Sequence, residues 1–493
     1  MERMEFSALF GILLLVSLLA VGIGTVRAQG GTLTSRTPIL IDGDSSFTPA
    51  NGVNGGGIGT QLDPYIIENW AISASSDNGI TIKNTTAYFI IRNCLIENGG
   101  SNHYGIYLEN VINGRIENNT CRNSCDIRLV SSSNNILTGN ICENNAGIYL
   151  SSLSNYNTLT GNICGDNSLS GILLSSSSYD NLTNNTCSNN GVGICLLSSS
   201  NNTLTGNICE NNSAGISLDS SSHNTLTGNT CSNSAFGIFL SSDNYDNLTG
   251  NNCENNRYNF SVIGSDISNY DHNIDTSNLV NGKPIYYLKD NSNLVIGSSL
   301  NIGYLGLVRC DNIRVENLVL ENNWDGILLA STENSWIDNC IFSNNVYGVY
   351  LGYSSYNTLT GNTCENNGCG ICLSSSSNNT ITLNYLLNNT ENNAYDGGTN
   401  ARDKNGKGNY WSDWQPPEHP SSNGVVVDEP RSIAGGTNQD KYPLVLSPST
   451  TTTTTTTTPP TTPPPAEAPW AWIGVGAAVI VIIAVVALAL RRK

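Results

Sequence analysis

The chain has 493 residues, a formal net charge of −18 and only 21 Lys and Arg. That balance excludes a nucleic-acid binder, which needs a dense basic stripe to neutralise phosphates. With 38% apolar residues and 48 glycines there is enough material for a core, so the bulk of the chain is not disordered.

Residues 6–26 form an uncharged apolar run, apart from the chain ends that flank it, and Val26 and Ala28 are spaced as a signal peptidase prefers. Residues 1–28 therefore read as a signal peptide. Glu2 and Glu5 before the run keep an uncleaved anchor as the alternative.

The body is a repeat. Cys121, Cys142, Cys164, Cys187, Cys209, Cys231 and Cys253 recur at intervals of 21 to 23 residues. Gly-Ile-x-Leu keeps the same beat at Gly147, Gly171, Gly193, Gly215 and Gly237, and returns at Gly326, Gly348 (with Val349) and Gly370. Asn-Thr-Leu-Thr-Gly-Asn opens at Asn157, Asn202, Asn224 and Asn357. Short alternating runs separated by Asn, Ser and Gly mean strands and turns, and a 22-residue unit of two or three strands stacks into a parallel β-helix. Alternation points Ile172, Leu174, Leu159 and Cys164 inward and Leu173 outward. By the same rule Ile216 and Leu218 belong to the core and Ser217 to the surface. The strand-opening Gly is expected to relieve a positive φ at a corner. Asn162 is expected at a bend, stacking its amide along the coil.

The array divides. Residues 29–257 carry the regular coils behind an N-terminal cap. Residues 258–308 lose the phase and read as an irregular insert or distorted coils. Residues 309–446 form a second block, with Cys310, Cys340 and Cys364 and a cap containing Trp411 and Trp414. Residues 447–469 are a Thr/Pro-rich stalk, about 70 Å long at ~3.1 Å per residue when extended. Residues 470–490 hold no charge over 21 positions, enough to span a ~30 Å hydrocarbon layer as a helix. Arg491, Arg492 and Lys493 form a basic tail that suits the cytoplasmic side. The expected topology is a single-pass protein of the cell membrane with an extracellular body.

The cysteines read as a structural thiol ladder at Cys142, Cys164, Cys187, Cys209, Cys231 and Cys253. Neighbouring coils stand ~4.8 Å apart, whereas a disulfide brings Cβ atoms to about 3.8 Å. Cys369 and Cys372 make a Cys-x-x-Cys with Cys372 outward. His103, His223, His272 and His419 lack metal-ligand spacing and read as turn or surface residues, so no metal and no cofactor is expected. Glu143, Glu210, Glu254 and Glu365 follow ladder cysteines and face out. Glu210 and Glu254 stand about 9.6 Å apart by strand spacing, but turns of four to six residues wall no cleft, and no catalytic residue is assigned. Tyr107, Arg128 and Tyr149 occupy one outward column, followed by Leu173. Stacked rings and an Arg fork suit a sugar, so these three are the candidate substrate-binding residues. Glycosylation candidates are Asn84, Asn118, Asn181, Asn201, Asn247 and Asn378, among further Asn-x-Ser/Thr sites at Asn184, Asn211, Asn259 and Asn388.

The segment Gly408-Asn409-Tyr410-Trp411-Ser412-Asp413-Trp414, the later Asn438-Gln439-Asp440-Lys441-Tyr442-Pro443-Leu444 and the opening Asp63-Pro64-Tyr65-Ile66-Ile67-Glu68 resemble the NosD-like family of right-handed parallel β-helices, often grouped as carbohydrate-binding and sugar-hydrolase domains. The resemblance covers about residues 39–446. It implies an all-β, right-handed parallel β-helix and, through the family name, copper handling. Calcium in the family's Asp/Gly-rich loop is not implied, because Gln415-Pro416-Pro417 stands there. Three functions stay open: a tethered surface protein that binds glycans or has a structural or adhesive role, a polysaccharide lyase or hydrolase, and a copper-delivery accessory. The expected partners are the membrane and polysaccharide or envelope glycans, without nucleic acid.

Overall fold

A computed structural model describes residues 32–99, 103–123, 126–144 and 146–445. The signal peptide (1–28), the stalk (447–469), the membrane span (470–490) and the basic tail (491–493) lie outside the described residues. Among the described residues no helix is long and apolar enough to cross a membrane.

The chain winds into a parallel β-solenoid of about 16 turns with almost no helix. A regular turn has three strands, as at Ala214–Asp219, Thr225–Thr227 and Thr230–Ser232. Each strand pairs in parallel register with its equivalents one turn away. Ile194, Ile216 and Ile238 form one column, Leu204, Leu226 and Leu248 a second, and Cys209, Cys231 and Cys253 a third. Inward side chains of all three strands meet in one continuous core. One turn alone could not bury them, so stability comes from stacking.

The corners explain the abundance of Asn. Asn184, Asn189 and Asn211 adopt positive φ near 55°, and Gly206, Gly228 and Gly250 share the left-handed region. Other asparagines are buried and close the corners by side chain. Asn162 Nδ2 donates to Asn185 Oδ1 of the next turn at 2.9 Å and to Leu137 O of the previous turn at 3.0 Å, while Asn185 Oδ1 also accepts the Asn162 backbone N–H. A buried corner thus keeps its polar groups satisfied without water.

Of the strand-opening glycines Gly147 takes the expected positive φ, 72°, and those of the later turns, Gly171, Gly193 and Gly215 among them, do not. Their need is room: a Cβ on Gly193 would stand 2.9 Å from Cys209 Sγ and 2.5 Å from the Gly215 carbonyl. The Gly and Cys markers share one period because each glycine makes space for the next turn's thiol.

After Tyr258–Ile263 the stack ends. Leu279–Val280 and Lys283–Lys289 form an antiparallel hairpin, and the second strand of that hairpin opens the second block. Its long strands stack as Lys283–Lys289, Tyr304–Val308, Asp325–Ala330, Tyr347–Gly352, Cys369–Ser374 and Asn392–Asp396. The reversal turns the outer face of this stack onto the first block: Tyr304, Leu328 and Ala330 join the apolar cluster of Phe260, Val262 and Val280. Trp324 reaches Phe236 and Phe239, with ring centroids 5.9 and 5.4 Å away, and its backbone N–H donates to Phe260 O.

This contact corrects the surface assignment. Ser217, Leu173 and Phe239 point away from the inner core yet are only 2%, 4% and 4% exposed. The outward residues pack along their own column, and Trp324 and Val346 of the second block complete the cluster. The cysteines of the second block do not form one column. Cys364 sits in the core column between Phe342 and Leu386. Cys340 instead fills a corner position whose next occupant is Asn362, and Cys310 lies beside the Thr332 corner. Three different positions account for the uneven spacing.

The last turn is closed by polar anchors. Trp411 Nε1 and the Asn409 backbone N–H both donate to Asp440 Oδ2, and buried Arg402 pairs with Asp396 at 2.9 Å.

Candidate functional site

Tyr107, Arg128 and Tyr149 lie in parallel register on three successive long strands, Ile106–Val111, Ile127–Val130 and Ile148–Ser151. Their shared outward column comes directly from the period-two pattern and the repeat length. The guanidinium of Arg128 stands 4.6 Å from the Tyr149 ring centroid and 4.9 Å from that of Tyr104, and its Nη1 donates to the Tyr104 hydroxyl at 2.5 Å. Tyr104 and Tyr107 stack at 5.3 Å and 17°. Lys83 from the preceding turn stands 5.4 Å from the Tyr107 centroid and pairs with Glu109 at 2.8 Å.

Partial burial, and next the Glu109 carboxylate, push the Tyr107 hydroxyl up from its ordinary value, so it stays a neutral donor. The hydrogen bond that Lys83 donates to the Glu109 carboxylate raises Lys83 and keeps it charged. Tyr107 and Arg128 are half-buried, with an edge in solvent, whereas Tyr149 is only 7% exposed. Tyr149 is thus the floor beneath Arg128 and not an open surface ring. Tyr104 was missed in the sequence because it precedes the strand and belongs to no repeated marker, although its spacing of three from Tyr107 was visible.

The acidic candidates are dispersed. Glu210 and Glu254 are half-exposed at the ends of third strands, two turns apart with Ser232 between them. A shallow, open depression lies where the blocks meet. It has a volume of about 680 Å³ and is lined by Glu254, Asn255, Arg257, Asn281, Gly282 and Asn322. The hairpin reversal makes it, not a long turn. His272 is also not a surface residue: it is fully buried beside Asp246 at 3.3 Å, with Nε2 3.0 Å from Asn269 O, and it caps the end of the first block.

The fourteen described cysteines are free thiols. Cys142, Cys164, Cys187, Cys209, Cys231 and Cys253 stack in register and are 0% to 1% exposed. Hydrogen bonding from Cys121 and Cys164, then burial, hold the Cys142 thiol well above its usual range.

Family comparison places this architecture. The family described as "Periplasmic copper-binding protein (NosD)" matches residues 41–207, 167–274 and 264–416. The chain belongs to the NosD family. No curated protein sequence matches it. Among solved structures, NosD-type coils here are similar to the Dettilon tailspike protein, at 11% identity over 74% of this chain and 61% of that one, TM-score 0.31. The chain therefore spans less than two thirds of the tailspike. A mutant of the periplasmic alginate epimerase AlgG is similar at 12% identity over 76% of this chain and 87% of that one, TM-score 0.33. The catalytic domain of a GH87 α-1,3-glucanase in complex with nigerose is similar at 15% identity over 77% and 64%, TM-score 0.32. None of these likenesses extends to an activity.

The NosD description names copper, and the donors in this chain do not fit it. Copper(I) takes soft thiolates, but the ladder thiols are sealed in a packed core, 0% to 1% exposed, where an ion has no way in. Cys369 is 2% exposed, and Cys372 beside it adds only a second donor. Among the described residues no three His, Cys, Asp or Glu gather closely enough to hold an ion.

Proposed function

We propose that this NosD-family chain is a non-enzymatic, glycan-binding solenoid held at the outer face of a cell membrane by residues 470–490, with residues 447–469 as its stalk. The observation that carries the reading is the patch of Tyr104, Tyr107, Arg128 and Lys83. Aromatic rings offer electron-rich faces to the CH groups of a sugar ring, and the free edge of Arg128 offers hydrogen bonds to hydroxyls or a carboxylate. The Tyr149 floor and the Tyr104 hydroxyl fix Arg128 before any ligand arrives, which lowers the ordering cost of binding. The uncharged span at 470–490 and the basic residues after it support the tether.

A second reading, cleavage of the bound chain, is favoured by the open depression at the junction, where Glu254 and Arg257 lie together. One experiment addresses both. Protein lacking residues 470–493 is expected in the soluble fraction and retained in gels containing alginate or α-glucan. Tyr107→Ala or Arg128→Ala is expected to weaken retention about tenfold, ~1.4 kcal/mol. Unchanged retention in both variants removes the patch as the site. New reducing ends or unsaturated sugars, lost in Glu254→Gln, would replace the non-enzymatic reading with the second one.

A further inference from the structure

An outer corner column crosses the first block at Tyr156, Tyr179, Asn201, His223 and Tyr245, one residue per turn, each with φ between 58° and 62°. The Tyr156 and Tyr179 rings stack at 5.0 Å and 12°, and both are more than half exposed. His223 and Tyr245 pair at 5.1 Å. Between the two pairs the column holds no ring, only Asn201. Asn201 is exposed, and its backbone N–H donates to Ser222 O. Its side-chain amide makes no hydrogen bond among the described residues. Asn201-Asn202-Thr203 is an N-glycosylation acceptor sequence.

The second block repeats the arrangement independently. Tyr356, with φ 60° and 59% exposure, is followed one turn later by Asn378, with φ 61°. The bond from Asn357 Nδ2 to Asn379 Oδ1 at 3.1 Å fixes that register. Asn378 is exposed, its amide is likewise free among the described residues, and Asn378-Asn379-Thr380 is an acceptor sequence. Asn118, Asn184, Asn211 and Asn388 are likewise exposed with free amides among the described residues but have no ring in their column, and the remaining acceptor sequences are engaged. Asn259 is fully buried and donates to Asn322 O. Asn84 donates to Asp42, Asn247 accepts from Asn273, and Asn181 accepts from Thr183.

We infer that Asn201 and Asn378 carry N-linked glycans whose first sugar lies against the open faces of Tyr179 and Tyr356, with His223 closing the other side at Asn201. The inference rests on the external location proposed above. In the transfer step Asn Nδ2 bonds to the anomeric carbon of a sugar carried on a lipid-linked phosphate donor. The anomeric C–O bond breaks with its electron pair going to the leaving phosphate, and the amide loses one proton. A sugar ring beside Asn201 fills the one-turn gap in the aromatic column, about 9.6 Å between the flanking turns. Its CH face meets a tyrosine held in place by the fold.

Glycopeptide mass spectrometry of the full chain purified from its own membranes is expected to find sugar mass on the peptides bearing Asn201 and Asn378. Protease shaving of intact cells reads the location separately. A chain that is shaved yet unmodified at both positions overturns the glycan inference and leaves the location standing, whereas a protected chain overturns both. Asn201→Gln is expected to lower the melting temperature in the wild type and not in a Tyr179→Ala background. An equal drop in the two backgrounds would show that the sugar does not rest on the ring.

Discussion

Asp180 shows how much one atom matters in a column built of amides. The corner column runs Asn135, Asn157, Asp180, Asn202 and Asn224, each donating its backbone N–H to the side-chain oxygen of the next. Asp180 Oδ1 accepts from the Asn157 backbone at 2.7 Å, but Oδ2 is buried without a partner. In Asn157 the equivalent Nδ2 donates to the Ser132 and Ser154 carbonyls. Burial therefore pushes the Asp180 carboxyl up to about 7, against an ordinary ~3.9. Between those values the folded state holds a proton that the unfolded state has released. Stability contributed by this group falls as pH rises from about 4 to about 7, and the full penalty stands above that. Asp180→Asn supplies the missing donor and is expected to stabilise by on the order of 1–3 kcal/mol at pH 8 and much less at pH 4. Urea midpoints at the two pH values read the difference, and equal gains at both would show that the carboxyl is not titrating.

The thiol column is the element whose sequence signature and structure agree most directly. A cysteine every 22 residues leaves only one way to stack turns of equal length, and the neighbouring Thr and Glu half-exposed on either side set its inward phase. Inward residues such as Ile216 and Leu218 were legible for the same reason: the repeat multiplies a weak period-two signal. Outward residues were not legible, because their burial depends on what covers the sheet, and no alternation encodes that. Ser217 is the plainest case. The thiols themselves should be chemically silent, since a reagent must reach the sulfur and the whole column is 0% to 1% exposed. Iodoacetamide applied to native protein is expected to label Cys372, the one half-exposed thiol among the described cysteines, and to spare the ladder until denaturant is added. Mass spectrometry after short and long exposure would show this. Fast native labelling of Cys187 or Cys209 would mean that the column opens.

At the scale of the whole molecule the decisive feature is the reversal between the blocks. The sequence showed that the phase fails across residues 258–308. Asn281-Gly282, both with positive φ, carries the local signal of the antiparallel hairpin, but nothing local encodes the contact between the blocks, which depends on partners such as Asn259 and Asn322 that lie far apart along the chain. The candidate patch lies in regular coils and was partly legible for that reason, whereas the depression at the junction was invisible until the two blocks met. An open solenoid end is a row of unpaired strand edges, and here the second block covers the end of the first. Trp324 is the clearest lever on that contact. It is 4% exposed, touches Phe236 and Phe239 of the first block and Tyr347 of its own, and bonds Phe260 through its backbone. Trp324→Ala removes the ring and leaves the backbone bond, at an expected cost of about 3–5 kcal/mol. In a repeat array that loss stays near its origin. Hydrogen exchange should therefore quicken at residues 236–241 and 322–330 and stay unchanged at 148–151, four long strands before 236–241 in the stack. Uniform loss of protection along both stacks would show instead that the blocks fold as one cooperative unit and that the junction is its weakest point.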